Sequence, residues 1–423
     1  MAVPQRQPLW AIYLIGFLIA LLFFKLPWWL AYYSLRANRP RKSWTLRRTI
    51  HVQIFRQVTK LFMEFGIADG RDLSMEVPQK ELEPLNARFV WIPELEDDLV
   101  GIVAEHAARA GVKSIAIPAY WMLREGSKWS PEHEKAQKDE KVVLYFHGGS
   151  FAAGSAYPSH MTAAIPKGLL KYSTSLSRVL SVDYRLSSGP PTFGPVNPFP
   201  CAVIDAIAAY RYLVCEMGFL PQNITVAGDS AGGNIALAVT RYVVENRLPH
   251  LPPPGGLIPA SPVTDMSSSH ASADSSHYLN AASDIFDLSP YPYLRSDDFR
   301  GYVGEIDAEG TKENRYLSPA SKFAIPPDVD GDIRLFSGFP RSYIIGGGAE
   351  QLFDDIVALA EKMKEDGVDV TVDFPPDAIH AYFLFYWHEP ERTESLVKCA
   401  AWLDGRPAEV DVELAGQRGD DLV

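Results

Sequence analysis

Cysteine is nearly absent from this chain: Cys201, Cys215 and Cys399 are the only three in 423 residues. An odd set without the short spacing of metal ligands argues against a disulfide framework and a zinc site, so packing alone must hold the fold. Acid is missing from the start. Residues 1 to 60 carry ten Lys or Arg and no Asp or Glu, which leaves 30 basic against 52 acidic residues, a net of −22, for the remainder. So acidic a body argues against nucleic acid as a partner. No internal repeat is present. What is abundant is apolar material: 47% of residues are hydrophobic and 12% aromatic. That is enough to bury the core of one large α/β domain with appendages.

The basic start is interrupted by an apolar run from Leu9 to Phe24, then Lys25, then Leu26 to Leu30. A helix over residues 9 to 30 would be about 33 Å long, enough to cross a bilayer core. Trp10 would stand at one interface and Trp28, Trp29, Tyr32 and Tyr33 at the other. A cleaved signal peptide should begin with its charges and end in small residues; here bulky aromatics and a basic cluster follow instead. The expectation is a membrane anchor with Arg36, Arg39, Arg41, Lys42, Arg47 and Arg48 at headgroup level.

Beyond it, residues 45 to 85 read as amphipathic and mostly helical, Arg88 to Ile92 as a strand, Glu94 to Ala110 as a helix ended by Gly111, and Ser114 to Met122 as a strand. Residues 142 to 146 form a continuous apolar strand of the kind buried in parallel sheets. Further strands are expected at Arg178 to Val182, Ile224 to Ala227, Leu257 to Ala260, Ser342 to Ile345 and 368 to 374. Helices are expected at 200 to 216, 230 to 246, 351 to 366 and 390 to 404. This alternation predicts a doubly wound, mostly parallel α/β sheet. About 80 residues between Ala260 and Ser342, rich in Ser, Asp, Pro and Tyr, break the pattern. A connection so long beside ligand-binding strand ends reads in part as a substrate cap.

Gly228-Asp229-Ser230-Ala231-Gly232 lies where a strand gives way to a helix. The glycines clear a tight turn, and the helix N-terminus behind Ser230 favours developing negative charge. The alternative is a Gly-rich turn whose serine only caps the helix. A second motif, His147-Gly148-Gly149-Ser150-Phe151, follows the strand at 142 to 146. Its paired glycines can aim the backbone N–H groups of Gly148 and Gly149 into a site, where with that of Ala231 they would stabilise an oxyanion. His147 is placed to shape that loop rather than to act as a base.

A serine hydroxyl needs a base and an orienting acid. Of ten histidines, His380 comes just after the last strand, where the chain order Ser, acid, His would put it. Residues 341 to 355 offer three carboxylates after the preceding strand. Glu350 is nearest the strand end, while Asp354 and Asp355 also suit ordinary charges at a helix N-terminus.

Together the motifs HGGSF at 147 to 151, VDYRL at 182 to 186, PFP at 198 to 200, GDSAGGN at 228 to 234, RYLSP at 315 to 319, AEQLFDD at 349 to 355 and IHAYFLF at 379 to 385 carry a resemblance. Over residues 140 to 404 the chain resembles the hormone-sensitive-lipase-like branch of the α/β-hydrolases, which includes bacterial carboxylesterases, arylacetamide deacetylase and fungal steryl acetyl hydrolase. The resemblance implies an α/β-hydrolase fold with a cap and catalysis by Ser230, Glu350 and His380. It also implies an oxyanion hole from Gly148, Gly149 and Ala231, and no metal or cofactor. Ser150 replaces the family's common third glycine, and the link Ser187 to Asn197 is longer than usual.

The reading is a membrane-anchored serine esterase for small lipophilic esters with short acyl groups such as acetyl. An amidase of the arylacetamide or arylformamide kind is one alternative. The other is a non-catalytic ligand-binding protein, against which His380 argues. The expected organisation is an anchor at 1–44, a helical region at 45–87, the catalytic domain at 88–404 with its cap at about 265–335, and an acidic tail at 405–423. A single-pass protein of the endoplasmic reticulum is expected, though on which side two arguments conflict. The positive charges after the anchor favour a cytosolic domain, whereas the resemblance to arylacetamide deacetylase and steryl acetyl hydrolase implies the lumen.

Overall fold

The computed structural model describes residues 9–65, 73–95, 99–187, 196–286 and 297–407. Arg6, the Trp10 side chain, most of the long link after Ser187 and the tail beyond residue 407 lie outside the described residues.

Eight strands form one sheet in the order β1-β2-β4-β3-β5-β6-β7-β8. They are β1 (Ala87–Ile92), β2 (Ile117–Leu123), β3 (Lys141–Phe146), β4 (Leu176–Val182), β5 (Ile224–Asp229), β6 (Gly256–Ala260), β7 (Ser342–Ile345) and β8 (Val370–Asp373). Only β2 runs against its neighbours β1 and β4; every other pairing is parallel. The central parallel strands β3, β5, β6 and β7 are buried on both faces, as their largely apolar sequences require, while the edge strand β8 is partly exposed. Side chains alternate along each strand, so in β3 Val142, Leu144 and Phe146 face one core and Val143 and Tyr145 the other. Helices Gly101–Ala110, Cys201–Arg211, Ala231–Asn246 and Phe353–Glu365 cover the first face. The second is covered by Ala164–Tyr172 and Glu391–Asp404, together with Trp44 and Val52 from the N-terminal region.

The expected strands appear within a few residues of their places. Two helical readings change. The helix expected from Glu94 starts at Gly101, with residues 96–98 outside the described set. Helix Ala164–Tyr172 was not expected, because Pro166 and Gly168 break its pattern. Proline is tolerated in a first turn, and Gly168 lies so close to the final helix that a Cβ would stand 2.8 Å from Leu396.

At the N-terminus an apolar helix runs from Leu9 through a wide π-type turn at Leu21–Lys25 to Ser34. Its stretch Ala11–Ser34 is 24 residues long and almost wholly exposed. Part of the basic flank is bonded within the protein. Arg39 donates to the carbonyls of Tyr33 and Trp44, Arg41 to Asn280 and Gly348, and Arg48 pairs with Glu391. Arg41 and Arg48 therefore tie the N-terminal arm to the body and Arg39 braces the arm itself, while Arg36, Lys42 and Arg47 stay exposed. Helix Leu46–Phe65 then folds back beside the apolar helix, where Lys25 bonds to Gln57. Between β6 and β7 the insertion forms short helices at Ser276–Leu279, Asp297–Val303 and Ala308–Glu313. Its residues 287–296 lie outside the described set.

Candidate active site

Because β3, β5, β6, β7 and β8 are parallel, the segments leaving their C-terminal ends converge on one edge of the sheet. Ser230 leaves β5 at φ 51° and ψ −117°, a backbone conformation that residues with a Cβ rarely adopt. The glycines on either side make that turn possible. A Cβ on Gly228 would lie 2.2 Å from the Gly232 oxygen, and one on Gly232 would lie 2.1 Å from the Phe146 oxygen. The N–H of Ser230 donates to the Ala260 carbonyl at 2.9 Å, and its own carbonyl accepts from Val263 at 3.0 Å, so β6 holds the turn in place.

His380, Glu350 and Ser230 meet although 150 residues separate the first from the last. His380 Nε2 lies 2.9 Å from Ser230 Oγ, and its Nδ1 lies 2.6 Å from Glu350 Oε2. The other Glu350 oxygen accepts from Ser261 Oγ at 2.9 Å and from the Gly347 N–H. Ser261 also accepts from the Ala381 N–H at 3.2 Å. His380 is buried, which disfavours its charged form. The hydrogen bond and charge of Glu350, with the charges of Asp284 and Asp229, outweigh that and raise its pKa above the usual value. Ser230 remains 8% exposed, so the end of this relay reaches the surface.

The loop after β3 differs from expectation at one residue. Gly148 donates its N–H to Asp229 Oδ1 at 2.9 Å and so does not offer it to a ligand. Asp229 also accepts from the buried Tyr145 hydroxyl, and burial pushes its carboxyl up to about 6. Gly148 is needed instead for close approach, since a Cβ there would stand 2.3 Å from Asp229 Oδ2. Gly149, at φ 122°, and Ser150, at φ 55°, turn the chain so that their N–H groups follow. Like the Ala231 N–H, these two have no partner among the described residues. His147 shapes the loop as anticipated, with Nδ1 2.7 Å from the Gly148 carbonyl oxygen and its ring stacked on Tyr184.

Asp354 and Asp355 lie in the first turn of helix Phe353–Glu365, away from His380. Asp354 accepts from the Ser276 N–H at 2.7 Å. Asp355 is more than a helix charge: it is buried and lies 3.1 Å from His277 Nε2. Sequence reasoning missed Ser261 and Asp284. Ser261 follows β6 directly, a position that could have flagged it; nothing local marks Asp284.

A family model described as the alpha/beta hydrolase fold matches residues 143–384. An acetyl-hydrolase of Streptomyces hygroscopicus is 28% identical over 302 residues, covering 71% of this chain and 88% of the relative. The esterase LipI of Mycobacterium tuberculosis is 30% identical over 265 residues, covering 61% and 71%. Among solved structures, a hormone-sensitive lipase from a metagenome library shares 30% identity at a TM-score of 0.52, covering 68% of this chain and 82% of that one. EstE7, a hormone-sensitive-lipase homologue from a metagenome library, shares 26% at a TM-score of 0.54, covering 84% and 98%.

Proposed function

This chain belongs to the hormone-sensitive-lipase-like α/β-hydrolases and is a carboxylic ester hydrolase; on that premise we propose that Ser230 is its nucleophile, His380 its general base and Glu350 the acid that orients the imidazole. The observation that carries the reading is the continuous path from Ser230 Oγ through His380 to Glu350, 2.9 Å and 2.6 Å long at its two links. Ser230 Oγ attacks the ester carbonyl carbon while His380 Nε2 takes its proton. The tetrahedral oxyanion rests on the N–H groups of Gly149 and Ala231, the latter at the positive end of helix Ala231–Asn246, with that of Ser150 in the place first expected of Gly148. Collapse expels the alcohol, which receives the proton from His380 and leaves an acyl-serine. Water, deprotonated by the same imidazole, then attacks the acyl-serine and releases the carboxylic acid and the free serine.

The substrate class is lipophilic esters with short acyl groups, acetates first among them. Three things support this: the relative whose name is acetyl-hydrolase, the apolar N-terminal helix, and an aromatic ring beside the reacting groups. Phe286 meets His380 edge-on at 5.1 Å. Residues 265–335 act as the cap and 1–44 as a single-pass anchor in the endoplasmic reticulum membrane, with the catalytic domain on the cytosolic side. Protease treatment of sealed microsomes tests the side, and a protected domain would reverse it.

The nucleophile is tested with a fluorophosphonate probe, which should label the parent protein and leave Ser230→Ala unlabelled while the variant keeps its melting temperature. Equal labelling of both removes Ser230 from the role. Rates on p-nitrophenyl esters, steryl acetates and aryl amides test the substrate class; faster cleavage of amides would make the protein an amidase.

A further inference from the structure

A third carboxylate stands behind the Glu350–His380 pair. Asp284 comes from the insertion between β6 and β7 and is fully buried. Its Oδ2 accepts from the backbone N–H of Gln351, the residue after Glu350, at 2.7 Å. Its Oδ1 accepts from the backbone N–H of His380 at 3.1 Å and from that of Ile285 at 2.7 Å. One side chain therefore ties the loop after β7 to the loop after β8. Backbone bonds join the same two loops further back, from the Gly348 N–H to the Pro375 carbonyl at 2.9 Å and from the Ala349 N–H to the Ala378 carbonyl at 2.8 Å; Asp284 adds a tie at the residue after Glu350 and at His380 itself.

The segment that carries Asp284 is gripped on both sides. Inward, Asn280 donates to the carbonyls of Glu350 at 2.8 Å and Gly348 at 3.2 Å, and Ser283 to that of Ala349 at 2.9 Å. Outward, Arg41 donates to Asn280 Oδ1 at 2.6 Å, and Arg56 donates to the carbonyls of Ala281 and Asp284. Trp44 reaches the His380 loop itself, donating to the Asp377 carbonyl at 3.0 Å. The polypeptide just after the apolar helix thus lies one side chain away from both partners of the serine.

We propose that Asp284 is a positioning residue of the triad, fixing the Glu350 and His380 loops to each other through their backbone N–H groups, and that Arg41 and Arg56 of the N-terminal arm hold the segment that presents it. The inference rests on the triad reading above. Asp284 also acts through its charge. The carboxylates facing the His380 imidazole are Glu350 after β7, Asp284 from the insertion and Asp229 at the end of β5, and all three favour the imidazolium that forms as Ser230 attacks. Burial lifts the Asp284 carboxyl to about 6, above the usual carboxylate range.

The test uses the full-length protein in detergent, with p-nitrophenyl acetate as substrate across the acidic and neutral range. Asp284→Asn keeps the shape but sets an amide N–H₂ or a single carbonyl against donors that need two acceptor oxygens. The expected result is a fall in kcat of about 10²-fold, the cost of misplacing reacting groups by an ångström, with KM unchanged. The acidic limb of kcat/KM should move to lower pH, because an anion that raised the imidazole pKa is gone. Parent-like kcat with an unmoved limb overturns the proposal; so does a loss of activity that follows only a lowered melting temperature while the limb stays in place. If Asp284→Asn does not fold, Arg56→Gln acts on the same segment from outside, with kcat expected to fall by about tenfold at constant KM; parent kinetics would overturn the proposal. Fluorophosphonate labelling of Ser230→Ala run alongside separates the two readings, since label on that variant rejects the triad itself.

Discussion

Ser230 is held at positive φ by the glycines beside it, and the demand on them can be measured. Gly232→Ala would put a methyl 2.1 Å from the Phe146 oxygen and 2.5 Å from the His147 oxygen, both backbone atoms that cannot turn aside. The expected result is a loss of about 1–3 kcal/mol in denaturant unfolding, as for other overpacked interiors, with a larger fractional loss of kcat as the oxyanion loop is displaced. A variant with parent stability and activity would show that the turn can relax. Glu350→Gln removes the negative charge that faces His380 Nδ1, and kcat should fall by about 10⁴ by analogy with loss of the carboxylate from a serine-protease triad. Its sign in pH is also defined. Glu350 is the strongest influence raising the His380 pKa against burial, and the base works only when neutral. The acidic limb of kcat/KM should therefore lie above the ordinary histidine value in the parent and move down in the variant. A limb that does not move would mean Glu350 does not face the imidazole. Ser230, Glu350 and His380 were legible because each follows a strand end, and chain order alone brings such ends to one edge. The spent N–H of Gly148 was not, because its acceptor, Asp229, lies 81 residues away on the neighbouring strand.

Helix Phe353–Glu365 shows the same division at the scale of an element. Its start and the two acids in its first turn follow from local pattern, and local pattern treats Asp354 and Asp355 as equivalent. They differ because the short helix Ser276–Leu279 packs on one side, setting His277 against Asp355 in the interior and leaving Asp354 to a backbone N–H. Asp354→Asn should cost about 0.3–1 kcal/mol, the worth of a charge at a helix N-terminus. Asp355→Asn should cost about 3 kcal/mol, because it removes one partner of a buried pair. Thermal or denaturant unfolding of the two variants distinguishes them, and equal losses would mean that the His277 contact contributes nothing. Helix Ala164–Tyr172 makes the converse point: its breakers obscured it in the sequence, and close packing on Leu396 is what Gly168 makes possible.

For the whole molecule, the exposed apolar surface of Ala11–Ser34 is the feature on which the proposed membrane anchor rests. The full chain should float with phosphatidylcholine vesicles in a density gradient, and a chain lacking residues 1–34 should stay at the bottom. Recovery of the full chain as a soluble monomer without detergent would contradict the anchor. The bidentate pair of Arg48 with Glu391, at 2.8 and 2.7 Å, joins helix Leu46–Phe65 to the last helix of the domain. The body is thereby held against the N-terminal arm instead of hanging from it.

The order of elements, the apolar run at the start and the positions of the serine, acid and histidine are local properties. Hydrophobic period, glycine clearance and placement after a strand depend on neighbours within a few residues, so one dimension suffices to read them. The roles of Gly148, Asp284, Asp355, Arg41 and Arg48 depend on partners between 67 and 343 residues away. Whether a polar side chain is a solvated charge, a clamp on a neighbouring loop or half of a buried pair is set by what packing brings beside it after water is gone. That was decided only when the sheet edge, the insertion and the N-terminal arm came together.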